Sequence, residues 1–137
     1  MADLSVTAAN VASGADAVTR QGMAGATITA GQPLYQDPAD SYALKPARAN
    51  SAATDLVVGI ALHGAADGQP ITYQTEGGIN LGATLTVGQI YVLSAAAAGG
   101  IAPASDLVST NFVNVLGIAT TSSNLLCKII NGNVARA

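Results

Sequence analysis

Between Thr84 and Leu93, small hydroxyl residues alternate with aliphatics, break at Gly88-Gln89, and give way to the apolar run Ile90-Tyr91-Val92-Leu93. Period-two alternation predicts a half-buried strand, and a short continuous apolar run predicts a strand buried on both faces. The Gly-Gln break predicts a tight hairpin turn, with Gly first as type II′ requires. The same phrase stands earlier, as Thr27-Ile28-Thr29-Ala30-Gly31-Gln32-Pro33-Leu34-Tyr35 with one residue added, which makes Tyr35 the counterpart of Tyr91.

A second phrase repeats in step. Val57-Val58-Gly59-Ile60-Ala61-Leu62 matches Val115-Leu116-Gly117-Ile118-Ala119-Thr120. The Gly-Gln turns lie 57 positions apart and the Gly-Ile-Ala runs 58. Two phrases in one order at one offset predict an internal duplication, roughly 24–77 and 83–132. Chance similarity between strand-rich segments is the plainer alternative. Two copies are too few for a solenoid, so the expectation is one domain whose halves share a core.

The rest of the chain predicts many short strands and no amphipathic helix of ordinary length. Residues 1–22 read as an arm of small residues, with short strands at Leu4–Val6 and Ala17–Arg20, ahead of a single β domain at 23–137. Asp37-Pro38-Ala39-Asp40-Ser41 is a turn, and 46–54 a loop or short helix capped by Asn50 or Ser51. Leu56–Leu62 is expected to be a buried strand. Asp67-Gly68 and Glu76-Gly77-Gly78 are expected to turn the chain on either side of a strand at 70–75. The fold class is all-β, a small barrel or sandwich of short strands built from two related halves with an N-terminal arm.

Composition sharpens this. The chain has 137 residues, a natural size for one domain, and is 50% hydrophobic but only 4% aromatic. Its core must therefore be Val, Ile and Leu. Charged residues are 9%, against roughly 25% in ordinary soluble domains. So bland a surface suits a subunit that buries its exterior against copies of itself or a partner. Five basic residues, scattered, exclude an electrostatic footprint for nucleic acid. No apolar run is long enough for a membrane span, and Met1–Ser5 lacks the charged and apolar regions of a secretory signal. The single Cys127 cannot form an internal disulfide, and synthesis in a reducing cytoplasm is expected.

Candidate chemistry is sparse. His63, the single histidine, has Asp67 as its nearest acid in sequence, but no Ser stands in a nucleophile elbow. One His and one Cys are too few for zinc, and Asp37 with Asp40 lacks the ordered acids of a calcium loop. Tyr35, Tyr42, Tyr73 and Tyr91 raise the alternative of a sugar-stacking platform. No catalytic residue, cofactor or metal is expected, and the chain does not read as an enzyme.

The run Leu85–Ala95, then Gly99-Gly100-Ile101-Ala102-Pro103, then Val115–Ala119, resembles the small head decoration (capsid cement) proteins of tailed bacteriophages. Ala30-Gly31-Gln32, Tyr35, Asp37, Gly59–Leu62 and Asp67–Pro70 extend the resemblance over roughly 24–130. It implies a structural virion protein, made in the host cytoplasm and placed on the capsid exterior. Such a protein is a homotrimer that bridges major capsid protein subunits of the expanded shell. Leu4, Val6 and Val11 of the arm are the candidate partner-binding residues. The rival expectation is a carbohydrate-binding or adhesin module displayed on a virion or fibre.

Overall fold

In a computed structural model, residues 3–136 form a curled antiparallel sheet shaped as a half-barrel. Its strands are β1 (Val11–Ser13), β2 (Val18–Met23), β3 (Pro33–Asp37), β4 (Ala43–Pro46), β5 (Gly59–Ala61), β6 (Pro70–Leu81), β7 (Ile90–Leu93), β8 (Ile101–Pro103), β9 (Phe112–Ala119) and β10 (Asn124–Ala135). Three single-turn 3-10 segments, Ala8–Asn10, Pro38–Asp40 and Ala104–Asp106, are the helical elements among the described residues.

The main strand order is β4-β3-β5-β6-β10-β9-β7-β8. Exchanging β3–β6 for β7–β10 reverses this order onto itself, so the two halves are related. Register agrees residue by residue. Pro33 pairs with Ile60 and Leu34 with Gly59, as Ile90 pairs with Ile118 and Tyr91 with Gly117. Leu34 also faces Pro46, as Tyr91 faces Pro103. The structural counterpart of Tyr91 is therefore Leu34, not Tyr35. Register follows the distance from the turn, whereas the aromatic pair had suggested a one-residue insertion.

Each Gly-Gln phrase is a turn of a different kind from the one expected. Gln32 N–H donates to Thr29 O (3.4 Å) and Gln89 N–H to Thr86 O (3.0 Å), with Gly31 at φ +89° and Gly88 at +83°. Positive φ at the third residue marks type II, not II′. The arms of these turns do not pair with each other. Instead Gly31 and Gly88 donate to Ala61 O and Ala119 O, both at 2.8 Å. Ala66–Gln69 repeats the turn, with Gly68 at φ +86°. In two of the three, the glutamine also folds back, accepting through Oε1 from Thr29 N–H (3.0 Å) or Ala66 N–H (2.8 Å).

β6 joins everything. Glu76 pairs with Val18 and with Lys128, so β6 carries β1 and β2 along one edge and β5 and β10 along the other. Glu76-Gly77-Gly78, expected to be a turn, lies inside this twelve-residue strand. Gly77 has φ +95°, and a Cβ there would stand 2.6 Å from Asp16 O. The glycines thus allow the β1–β2 link to cross closely while the strand bends. The buried Gln74 amide donates toward the carbonyls of Glu76, Gly77 and Gly78 at 2.9–3.0 Å and holds the bend.

Other boundaries also shift. The strand of the Gly-Ile-Ala run is only Gly59–Ala61, and Leu56 is exposed. No helix forms at 46–54; Ser51 Oγ caps Ala53 N–H in a turn. In the arm the first strand is Val11–Ser13 rather than Leu4–Val6.

The described residues form two cores. One is confined to the first half: Ile28, Leu34, Leu44, Ala61, Ile71 and Tyr73. The other gathers Leu85, Tyr91, Ile101, Leu116 and Leu125 of the second half with Ala47, Val57 and Ile60 of the first. The first half therefore plugs the second.

Candidate interaction surface

Antiparallel register places Ile90 beside Ile118, Ile118 beside Leu126, and Leu126 beside Gly78. The three aliphatics form a row across β7, β9 and β10 and are 42%, 45% and 46% exposed. Their chain neighbours Tyr91, Ala119, Leu125 and Cys127 point inward and are buried. Gly78 offers no side chain to cover Leu126, so the row stays open at that end. An ordered apolar row on a charge-poor sheet is the clearest surface feature of the second half.

The sequence reading misses this row because the continuous apolar run Ile90–Leu93 predicts a strand buried on both faces, whereas Ile90 is 42% exposed. A signal was present. Leu126 shares its strand parity with Lys128 and Ile130, and all three are exposed. The lysine marked the outward face.

The arm residues expected to meet a partner are placed against the chain itself. Leu4 and Val11 are half-buried and pack on the larger core, and Leu4 N–H donates to Ile101 O at 2.8 Å. Val6 is also half-buried and lies over Gly31, where a Cβ would stand 2.6 Å from it. At the arm's start, Asp3 accepts from the buried Ser94 hydroxyl at 2.7 and 2.8 Å.

The candidate chemical residues are dispersed. His63 has both ring nitrogens occupied by backbone: Nε2 accepts from Thr72 N–H (3.0 Å), which leaves Nδ1 to donate to Gly64 O (2.9 Å). Asp37 and Asp40 both meet Lys45 Nζ, at 2.7 and 3.4 Å. The Lys45 hydrogen bond, helped by Ala39 N–H, lowers the Asp37 carboxyl below its usual range, and the same pairing raises Lys45. Burial, with Glu76 nearby, pushes the Cys127 thiol up to about 12; it is a packing residue at neutral pH. The tyrosines form no common platform. Tyr73 and Tyr91 are buried, Tyr35 is half-buried, and Tyr42 is 63% exposed.

Tyr42 stands at the β3–β4 tip, where it and Ser41 have φ of +61° and +55°. It lines an open depression with Met23, Asp40, Asp67 and Gly68. Among the described residues, no group of three or more His, Cys, Asp or Glu is arranged to hold a metal ion, and no helix is long and apolar enough to cross a membrane.

No family model matches this chain, and neither does any curated protein or solved structure.

Proposed function

We propose that this chain is a structural virion subunit. It binds the outside of an expanded phage capsid, as a homotrimer, and stabilises the shell by bridging major capsid protein subunits. The observation that carries this reading is the open row Ile90–Ile118–Leu126 on a chain with 9% charged residues. Such a surface is stable in isolation only at the cost of wet aliphatics, and a protein or shell surface that covers it removes that cost. Twinned halves that share a core supply a stiff block, which suits a clamp. Binding that favours the expanded lattice over its precursor then stabilises the expanded state by linkage.

The test is to mix the purified chain with expanded capsids that lack it. Saturable occupancy and a higher temperature of capsid disruption are expected. Failure of either, with folded protein in excess, overturns the reading.

A carbohydrate-binding or adhesin module is the second reading, and Tyr42 favours it. Its exposed ring beside Asp40 and Asp67 combines a stacking face with hydrogen-bond acceptors. Binding of isolated protein to glycans, lost in Tyr42→Ala, would establish it.

A further inference from the structure

The two halves of this chain already form an interface. Ile60 of the first half is fully buried in the core that holds Leu85, Tyr91 and Leu125 of the second. Pro33, its register partner, is buried as well. Their counterparts by strand order and register are Ile118 and Ile90, and these are exposed. Val57 is 2% exposed, whereas its counterpart Val115 is only half-buried. One molecule therefore contains the same apolar surface twice, once seated and once open.

The first half exposes two large side chains of its own. Its private core is flanked in the chain by Met23, next to Ala24, and by Tyr42, two residues before Leu44. These are 55% and 63% exposed and line one depression. We infer that the Ile90–Ile118–Leu126 row of one molecule docks head to tail on the Met23–Tyr42 surface of a second copy, so that the row is covered between molecules as its first-half counterpart is covered within one. The row carries no ionisable side chain; the receiving depression is bordered by Asp40, which Lys45 Nζ meets at 3.4 Å, and by Asp67, so the aliphatics are covered by Met23 and the Tyr42 ring at its apolar side. The two surfaces differ, so the contact is heterologous, and it closes into a ring or runs on as a filament. This deepens the self-association part of the reading above. Its test needs no capsid, so the two can fail separately.

The experiment compares the full-length chain with Ile118→Asp and Tyr42→Asp by native mass spectrometry and light scattering over a concentration series. Asp tolerates the left-handed backbone at position 42. Folding of each variant is checked by circular dichroism, and Ile118→Thr replaces Ile118→Asp if the latter does not fold. The parent is expected to self-associate, each variant to do so at least about tenfold more weakly, and Val108→Asp, at an exposed site off the row, to behave as the parent. An equimolar mixture of the two variants retains one intact pair of surfaces and should form a heterodimer and nothing larger. A monomeric parent at the highest concentration, an Ile118 variant that assembles normally, or a mixture that stays monomeric would each overturn the proposal.

Discussion

Gly59 and Gly117 show how one atom fixes a strand. A Cβ at Gly59 would stand 2.6 Å from Gln74 O, and one at Gly117 would run still closer into Leu126 O. Backbone cannot move aside as a side-chain tip can. The glycine of each Gly-Ile-Ala run is there because the next strand's carbonyl occupies that place. Gly117→Ala is therefore expected to lower stability by about 1–3 kcal/mol, the usual cost of forcing a packed site apart. Gly88 has open space around it and a φ of +83°. Gly88→Ala should cost about 1–2 kcal/mol, from backbone strain alone. Urea unfolding of the two variants measures the difference.

The β3–β4 hairpin shows what local charge contributes. Asp37 caps the 3-10 turn through Ala39 N–H (3.0 Å) and grips Lys45 across the hairpin at 2.7 Å. A lowered carboxyl is a stabilising contribution present above the unfolded value and lost as pH falls through the folded one. A raised lysine contributes below its unfolded value and loses that contribution as pH rises through the folded one. The tip should thus hold from mildly acidic to mildly alkaline pH, loosening in acid below the ordinary aspartate range and in alkali above the ordinary lysine range. Following the Ala39 amide resonance against pH tests this. Asp37→Asn should abolish the acid transition while changing overall stability little, since the pair is only half-buried and solvent still screens it.

Such local devices were readable from residue types. Asp-Pro-Ala-Asp-Ser announced its turn, and the doubled Gly-Gln and Gly-Ile-Ala phrases announced the twinned sheet. What the chain hid was non-local. Gly77-Gly78 has the composition of a turn, but it continues a strand because another segment must cross there. Leu126 belongs to an apolar run, but it faces outward because of which strand lies beside it. The arm's sequence predicts two short strands, but not that the first lies at Val11–Ser13 or that both pair along β6.

Taken as a body, the molecule is held together by a polar seam as well as by its larger core. Asp55 and Asn114, from different halves, are fully buried; Asn114 Nδ2 donates to Asp55 Oδ2 at 3.0 Å, while both Oδ1 atoms lack a partner. Nearby, Asn131 uses Oδ1 and Nδ2 to bond the backbone N–H and C=O of Val57 at 2.9 and 2.8 Å. Asp55→Asn puts a donor where one is missing, and its melting temperature should equal or exceed the parent's. Asn114→Asp removes the one donor and faces carboxyl with carboxyl. It should lose at least about 3 kcal/mol. Thermal unfolding of both variants decides whether this seam limits stability.

The central position of β6 has a consequence for synthesis. Its edges are completed by strands far apart in the chain, β1 and β2 well before it and β10 well after it. On a ribosome, β6 emerges with β5 available for Tyr73 and Gln74, but the Glu76–Asn80 stretch of that edge stays bare until Asn124–Lys128 has been made. Closing contacts so distant in the chain is slow, and an unpaired edge in waiting can stick to its neighbours. The nascent chain is thus most vulnerable between the emergence of β6 and that of β10, whose arrival closes both halves at once.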